Sequence, residues 1–96
     1  MGYVRGSLIS ADRSCVVCGR TQGLHRHHIF FGANRRLSDR QGCWCYLCGP
    51  HHNLSSKGVH FDRELDLKLK RQCQRAWEGV YGDRNDFIRT YGKNYL

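Results

Sequence analysis

A small α+β fold, built from a two-stranded hairpin and one short helix and followed by C-terminal helices, is what this chain predicts. Three observations carry the prediction. Two short segments of strand character, 24–31 and 43–47, flank a polar stretch rich in arginine. Pro50 suits the first turn of a helix, and the last third of the chain repeats apolar residues at three- and four-residue intervals. Around the hairpin, Cys15-x-x-Cys18 and Cys48-x-x-His51 stand at matching spacing.

Ninety-six residues make one domain with a marginal apolar core, since a chain this short buries only about two-thirds of its unfolded surface. Domains of this size commonly add disulfides, a metal or a partner subunit. Six cysteines would permit a secreted disulfide framework. The opening Met1-Gly2-Tyr3-Val4-Arg5-Gly6 lacks the apolar core of a signal peptide, and position 6 lacks the hydroxyl that myristoylation favours. Five of the cysteines are also interleaved with all six histidines between Cys15 and His60, which is metal-ligand company. The expectation is a reduced, intracellular, cytoplasmic protein that binds zinc. No run approaches the ~18 apolar residues of a membrane span. The net charge of +8 draws phosphate backbones, so nucleic acid is the expected partner.

Residues 1–14 carry no strong pattern and are expected to form a flexible or loosely docked arm, leaving 15–96 as a single domain. Cys15 to Gly19 should form a zinc knuckle, the glycine permitting a tight turn. In the strand over 24–31, His25 and His27 share one face while Leu24, Arg26 and His28 share the other. Residues 32–42 read as an arginine-rich loop, and 43–47 as a strand antiparallel to the first. A short helix is expected from Pro50 to Ser56, ended by Gly58. Asp62 is the expected N-cap of a helix reaching about Gly79, with Leu65, Leu69, Cys73, Ala76, Trp77 and Val80 as its apolar stripe. Lys68, Lys70, Arg71 and Arg75 then populate its solvated faces. After Gly82, residues 83–91 form a last helix that uses Phe87, Ile88 and Tyr91.

Tetrahedral zinc is held by four soft or borderline ligands, often as two pairs that each close a tight loop. Cys15, Cys18, Cys48 and His51 supply those pairs as a structural zinc site. His27, His28, His52 and His60 remain. Phosphodiester hydrolysis needs an activated water and a means of neutralising charge on the phosphate, tasks for one imidazole and one divalent ion. Adjacent strand residues point opposite ways, so the His27-His28 dipeptide can offer one ring to a metal and the other to water. His52, at the start of the helix, is placed to be a second ligand. Arg35, Arg36 and Arg40 suit phosphate contacts. His25 is an outer ligand, a phosphate contact or simply exposed, and His60 a metal ligand, a helix cap or a phosphate contact. Cys43 and Cys45 are expected to pack around Trp44, with Cys73 and Trp77 in the core.

These residues resemble a known family. Cys15-x-x-Cys18-Gly19, Leu24-x-x-His27-His28-Ile29 and Leu47-Cys48-x-x-His51-His52 are similar to the HNH endonucleases, also called ββα-metal or His-Me finger enzymes. Phe30-Phe31-Gly32, Asn34-Arg35-Arg36, Gly58-Val59-His60, Leu65-Asp66-Leu67 and the closing Phe87-x-x-x-Tyr91-Gly92-x-Asn94-Tyr95-Leu96 resemble small phage-borne members. Within these, the chain is most similar to recombination-enhancement, RecA-dependent nucleases, over residues 15–96. The resemblance implies a ββα-metal finger that nicks or cuts DNA with low intrinsic sequence specificity in phage DNA metabolism or recombination. It also implies a catalytic divalent ion (Mg²⁺, Mn²⁺ or similar), a bacterial host cell, and a recombinase filament or another phage or host protein as candidate partner. His28 is then the general base, with His27 and His52 as ligands of the catalytic metal. Where the family places its last histidine this chain has Ser56, and His60 is the candidate replacement. Where the family places its middle asparagine stands Cys43, with Asn53 the candidate substitute for orienting His28. Those two departures support an alternative, a zinc-dependent nucleic-acid-binding module without catalysis.

Overall fold

A computed structural model describes residues 6–10, 12–53 and 58–96. Strand β1 (Leu24–His28) pairs antiparallel with β2 (Trp44–Cys48), setting His27 opposite Cys45 and His28 opposite Trp44. One further ladder bond, from Ile29 N–H to the Cys43 carbonyl at 3.0 Å, closes the hairpin's end. The first strand is shorter than its expected span. Phe30 instead donates its N–H to the Ser38 hydroxyl, and Gly32 turns the chain at φ +71°.

The expected loop over 32–42 is not a loop. Gly32–Asn34 forms a 3₁₀ turn and Arg35–Arg40 a helix, α1. Arginine and leucine are good helix formers, and polar composition alone hid them. Ser38 pins the helix in place: it is fully buried, and its hydroxyl donates to the Cys43 carbonyl while accepting from Phe30. Helix α2 (Gly49–His52) follows β2 directly, with Pro50 in its first turn. It ends at His52, with Asn53 out of helical conformation as its C-cap, so it is shorter than the helix expected to reach Ser56, a residue outside the described ones.

Helix α3 (Arg63–Glu78) starts at its expected cap, Asp62, whose carboxylate accepts the Leu65 N–H at 3.1 Å. Leu69, Cys73 and Trp77 are buried along it, whereas Val80 lies beyond the Gly79 cap and is half exposed. Lys70 does not join the solvated face. It is buried, its ammonium 2.7 Å from Asp66 and 4.3 Å from the centre of the Phe31 ring. Helix α4 (Arg84–Tyr91) opens on a reciprocal Asp83–Asp86 capping box and ends at Gly92 in the left-handed region. Phe87 and Tyr91 face inward, while Ile88 stays largely exposed.

Phe30, at the end of the hairpin, packs against Phe87, Tyr91 and Tyr95, and Phe87 packs in turn on Trp77. The core therefore sits between the hairpin and the last two helices. Cys43, Cys45 and Cys73 are all buried there, as expected. Within the predicted N-terminal arm, the described residues dock. Leu8 N–H bonds the Gly42 carbonyl at 2.8 Å, the Ser7 hydroxyl bonds that of Trp44, and Leu8 and Ile9 cover the core. Among the described residues no helix is long and apolar enough to cross a membrane.

Candidate metal centres

Two histidine-bearing clusters flank the hairpin, one at its Leu24–Cys48 end and the other built on His27, three residues further along β1. The first is Cys15, Cys18, Cys48 and His51, whose donor atoms all fall within 4.8 Å of one another. The knuckle closes through Cys15 N–H to Arg20 O and Gly19 N–H to Cys15 O, each 2.8 Å, and Val16 N–H ties it to Tyr46 of β2 at 3.0 Å. Cys48 ends β2, and the first turn of α2 swings His51 back beside it. Cys18 Sγ and Cys48 Sγ are 3.7 Å apart. Zinc–sulfur bonds of about 2.3 Å would separate tetrahedral thiolates by about 3.7–3.8 Å. His51 Nδ1 lies 3.1 Å from Cys48 Sγ and 3.8 Å from Cys15 Sγ. Burial raises the pKa of the Cys15 thiol, but N–H groups of Cys48, Cys18 and Val17 outweigh it and bring the value down to about 6. The Cys15 thiolate is thus favoured, whereas burial pushes the Cys48 thiol up; the donor set and its spacing are what fit a structural zinc site.

The second cluster is His27, His52 and His60, whose ring nitrogens also fall within 4.8 Å. His27 arrives from β1, His52 from α2, and His60 from the segment before α3. The segment carrying His60 is held by Val59 N–H to His51 O at 2.8 Å and His60 N–H to His52 O at 3.3 Å. Gly58 makes that approach possible, because a Cβ there would lie 2.6 Å from the His52 carbonyl oxygen. His52 Nε2 and His60 Nε2 are 3.1 Å apart. His25 sits behind them, its Nδ1 2.9 Å from His52 Nδ1.

His27 Nε2 is buried and has no hydrogen-bond partner among the described residues. Leaving such a nitrogen unsatisfied costs about 1–3 kcal/mol. Burial, then the neighbouring His52 and His60 and the Lys70 ammonium, push the His27 pKa down to about 3. Burial and the imidazoles of His60, His25 and His28 push His52 down to about 4. Both rings are neutral near pH 7, the state in which imidazole binds a metal.

His28 points the other way from β1, as strand alternation requires, and its Nε2 lies 3.2 Å from Asp39 Oδ1. The same oxygen takes the Arg26 guanidinium at 2.8 Å, and that guanidinium lies 3.9 Å over the Trp44 ring. Asp39, not Asn53, therefore orients His28; Asn53 is exposed at the end of α2. Nothing in the sequence marked Asp39, because its reach depends on α1 folding back across the hairpin.

His27, His28, His52 and His60 line one open pocket of about 390 Å³, together with Arg26, Phe31 and Arg35. Of the three arginines expected to meet phosphate, Arg35 is at its lip. Arg36 and Arg40 are exposed on the same helix and do not line it. Comparison of the chain with protein-family models, with curated proteins and with solved structures finds no match.

Proposed function

We propose that this protein is a metal-dependent endonuclease of the HNH type that hydrolyses DNA phosphodiester bonds. One observation carries the reading: three imidazoles from three separate segments converge in a pocket whose wall also holds His28, the next residue of the strand. The resemblance in sequence supplies the wider setting, phage DNA metabolism or recombination in a bacterial cell with a recombinase filament as candidate partner.

His27, His52 and His60 would hold the divalent ion, with His25 buttressing His52. The unsatisfied, buried His27 nitrogen and the neutral state of His27 and His52 support that assignment. A bound ion would act as a Lewis acid on the phosphate and the departing oxygen. The proposed cofactor is Mg²⁺, Mn²⁺ or a similar ion, and an all-imidazole donor set shifts preference toward the later first-row metals. His28 donates its Nε2 proton to Asp39, which leaves Nδ1 as the acceptor for a proton from water. Arg35 and Arg26 bring positive charge to the pocket, and Arg36 and Arg40 extend it along α1 as further DNA contacts.

The non-catalytic binding module drew on the missing asparagine and the missing late histidine. Asp39 beside His28 and His60 beside His52 speak instead for catalysis. The test is conversion of supercoiled plasmid to nicked or linear form with Mg²⁺, Mn²⁺ or Zn²⁺, wild type beside His28→Ala. Cleavage by wild type and a loss of about 10²–10⁴-fold in the variant is expected. Equal inactivity of both, with DNA binding retained, would favour the binding module.

A further inference from the structure

Phe61 is 66% exposed and Phe31 48%, the two most exposed aromatic side chains among the large hydrophobics of the described chain. Both line a second cavity of about 370 Å³ that also takes in His60 and Arg63. That cavity shares Phe31 and His60 with the histidine pocket, so the two are contiguous. Phe31 is held in place: the rings of His27 and His60 lie 6.3 and 6.1 Å from its centre, and the Lys70 ammonium 4.3 Å. Lys70 is itself buried and anchored on Asp66. In a small chain with a marginal core, two phenylalanines kept at the surface beside four histidines are surface available to a ligand.

The ligand's chemistry follows from what surrounds them. The chain carries a net charge of +8, Arg35 borders the inner cavity, and Arg63 borders the outer one beside Asp66, whose carboxylate is paired with the buried Lys70. A partner that is polyanionic and also offers flat apolar faces is nucleic acid with unstacked bases, because a duplex hides those faces within its own stack. We infer that Phe31 and Phe61 form a stacking platform for an unpaired base of single-stranded DNA next to the histidine pocket. The inference rests on the reading of that pocket as the place where a phosphodiester is held. The base then fixes which phosphate enters the pocket, and the preferred substrate is single-stranded or locally unpaired DNA.

Fluorescence anisotropy tests this with the zinc-loaded full chain carrying His28→Ala, a labelled 20-nucleotide single strand, and the same strand annealed as a duplex. Phe61→Ala and Phe31→Leu should each weaken single-strand binding roughly 5- to 150-fold, the range for loss of one base–aromatic stack, with duplex binding unchanged within about twofold. Phe61→Trp should retain it, and circular dichroism checks that each variant folds. An abasic position walked along the strand should reproduce the loss at one place and abolish any further effect of Phe61→Ala. Equal weakening on both DNA forms, or none on either, would overturn the platform. Wild-type cleavage of plasmid alongside that result would sink the platform and leave the nuclease. Base-dependent binding without cleavage of any DNA would do the reverse.

Discussion

At the scale of single residues, His28 and Asp39 decide whether the pocket can do chemistry. In the proposed role of base, His28 is useful only in one tautomer, and the carboxylate 3.2 Å from Nε2 would select it. Asp39→Asn should lower kcat by about 10–100-fold, the scale of lost outer-shell partners, with KM and bound metal unchanged. An effect on metal content instead would make Asp39 a structural residue. His27 has a different signature. Its pKa of about 3 in the folded chain lies below the ordinary 6.5, so the unfolded state binds the extra proton first. Stability is therefore undiminished above about pH 6.5 and falls as pH drops toward 3. Urea unfolding at pH 7, 6 and 5 should show a steeper acid loss in wild type than in His27→Gln, the zinc thiolates being common to both. Parallel slopes would show that the proton affinity of His27 is the same in the folded and unfolded chain.

Among the elements, the Cys15–Gly19 knuckle and the turn at 58–60 hold the two candidate metal clusters in place. The knuckle joins the chain before β1 to the end of β2 across residues that a two-stranded sheet alone would hold weakly. Chelation with verified zinc removal should thus collapse the helical circular dichroism, and Cys15→Ser should lose structure and activity together. His28→Ala should lose activity alone. Gly58→Ala separates the two centres. The added Cβ meets the His52 carbonyl oxygen at 2.6 Å, so the backbone must shift and carry His60 away from His52. Metal analysis should then find the Cys-rich site still loaded and the three-histidine site with at least tenfold weaker binding; intact binding at both would mean that the turn adapts.

Over the whole molecule, the charge of +8 sets the expected behaviour toward a polyanion. DNA affinity should fall steeply between 50 and 200 mM salt, and Arg35→Ala should reduce the slope of log K against log salt by about one phosphate contact. A slope unchanged by that substitution would remove Arg35 from the DNA surface. If the proposed nuclease reading holds, a single histidine pocket would cut one strand per visit, so nicked plasmid should precede linear product in a time course. The C-terminal tail is part of the same body: buried Gln74 bonds Asn94 and the Tyr95 N–H, each at 2.8 Å, which brings Tyr95 onto Phe30.

By itself the sequence determined the hairpin, the cap and length of α3, the span of α4, and the four residues of the candidate zinc site. Each of these is written in local spacing: Cys-x-x-Cys and Cys-x-x-His close tight loops, and apolar period and caps set a helix without reference to distant chain. Strand alternation likewise separates His27 from His28. The tertiary structure decided that 35–40 is a helix, since a six-residue stretch of good helix formers is too short to hold by itself and the buried Ser38 anchors it across the hairpin's end. It also decided that Asp39 rather than Asn53 meets His28, that His60 completes the histidine cluster, and that Lys70 is buried under Phe31. Those are contacts between segments far apart in the chain, and residue type and spacing do not encode the path that brings them together.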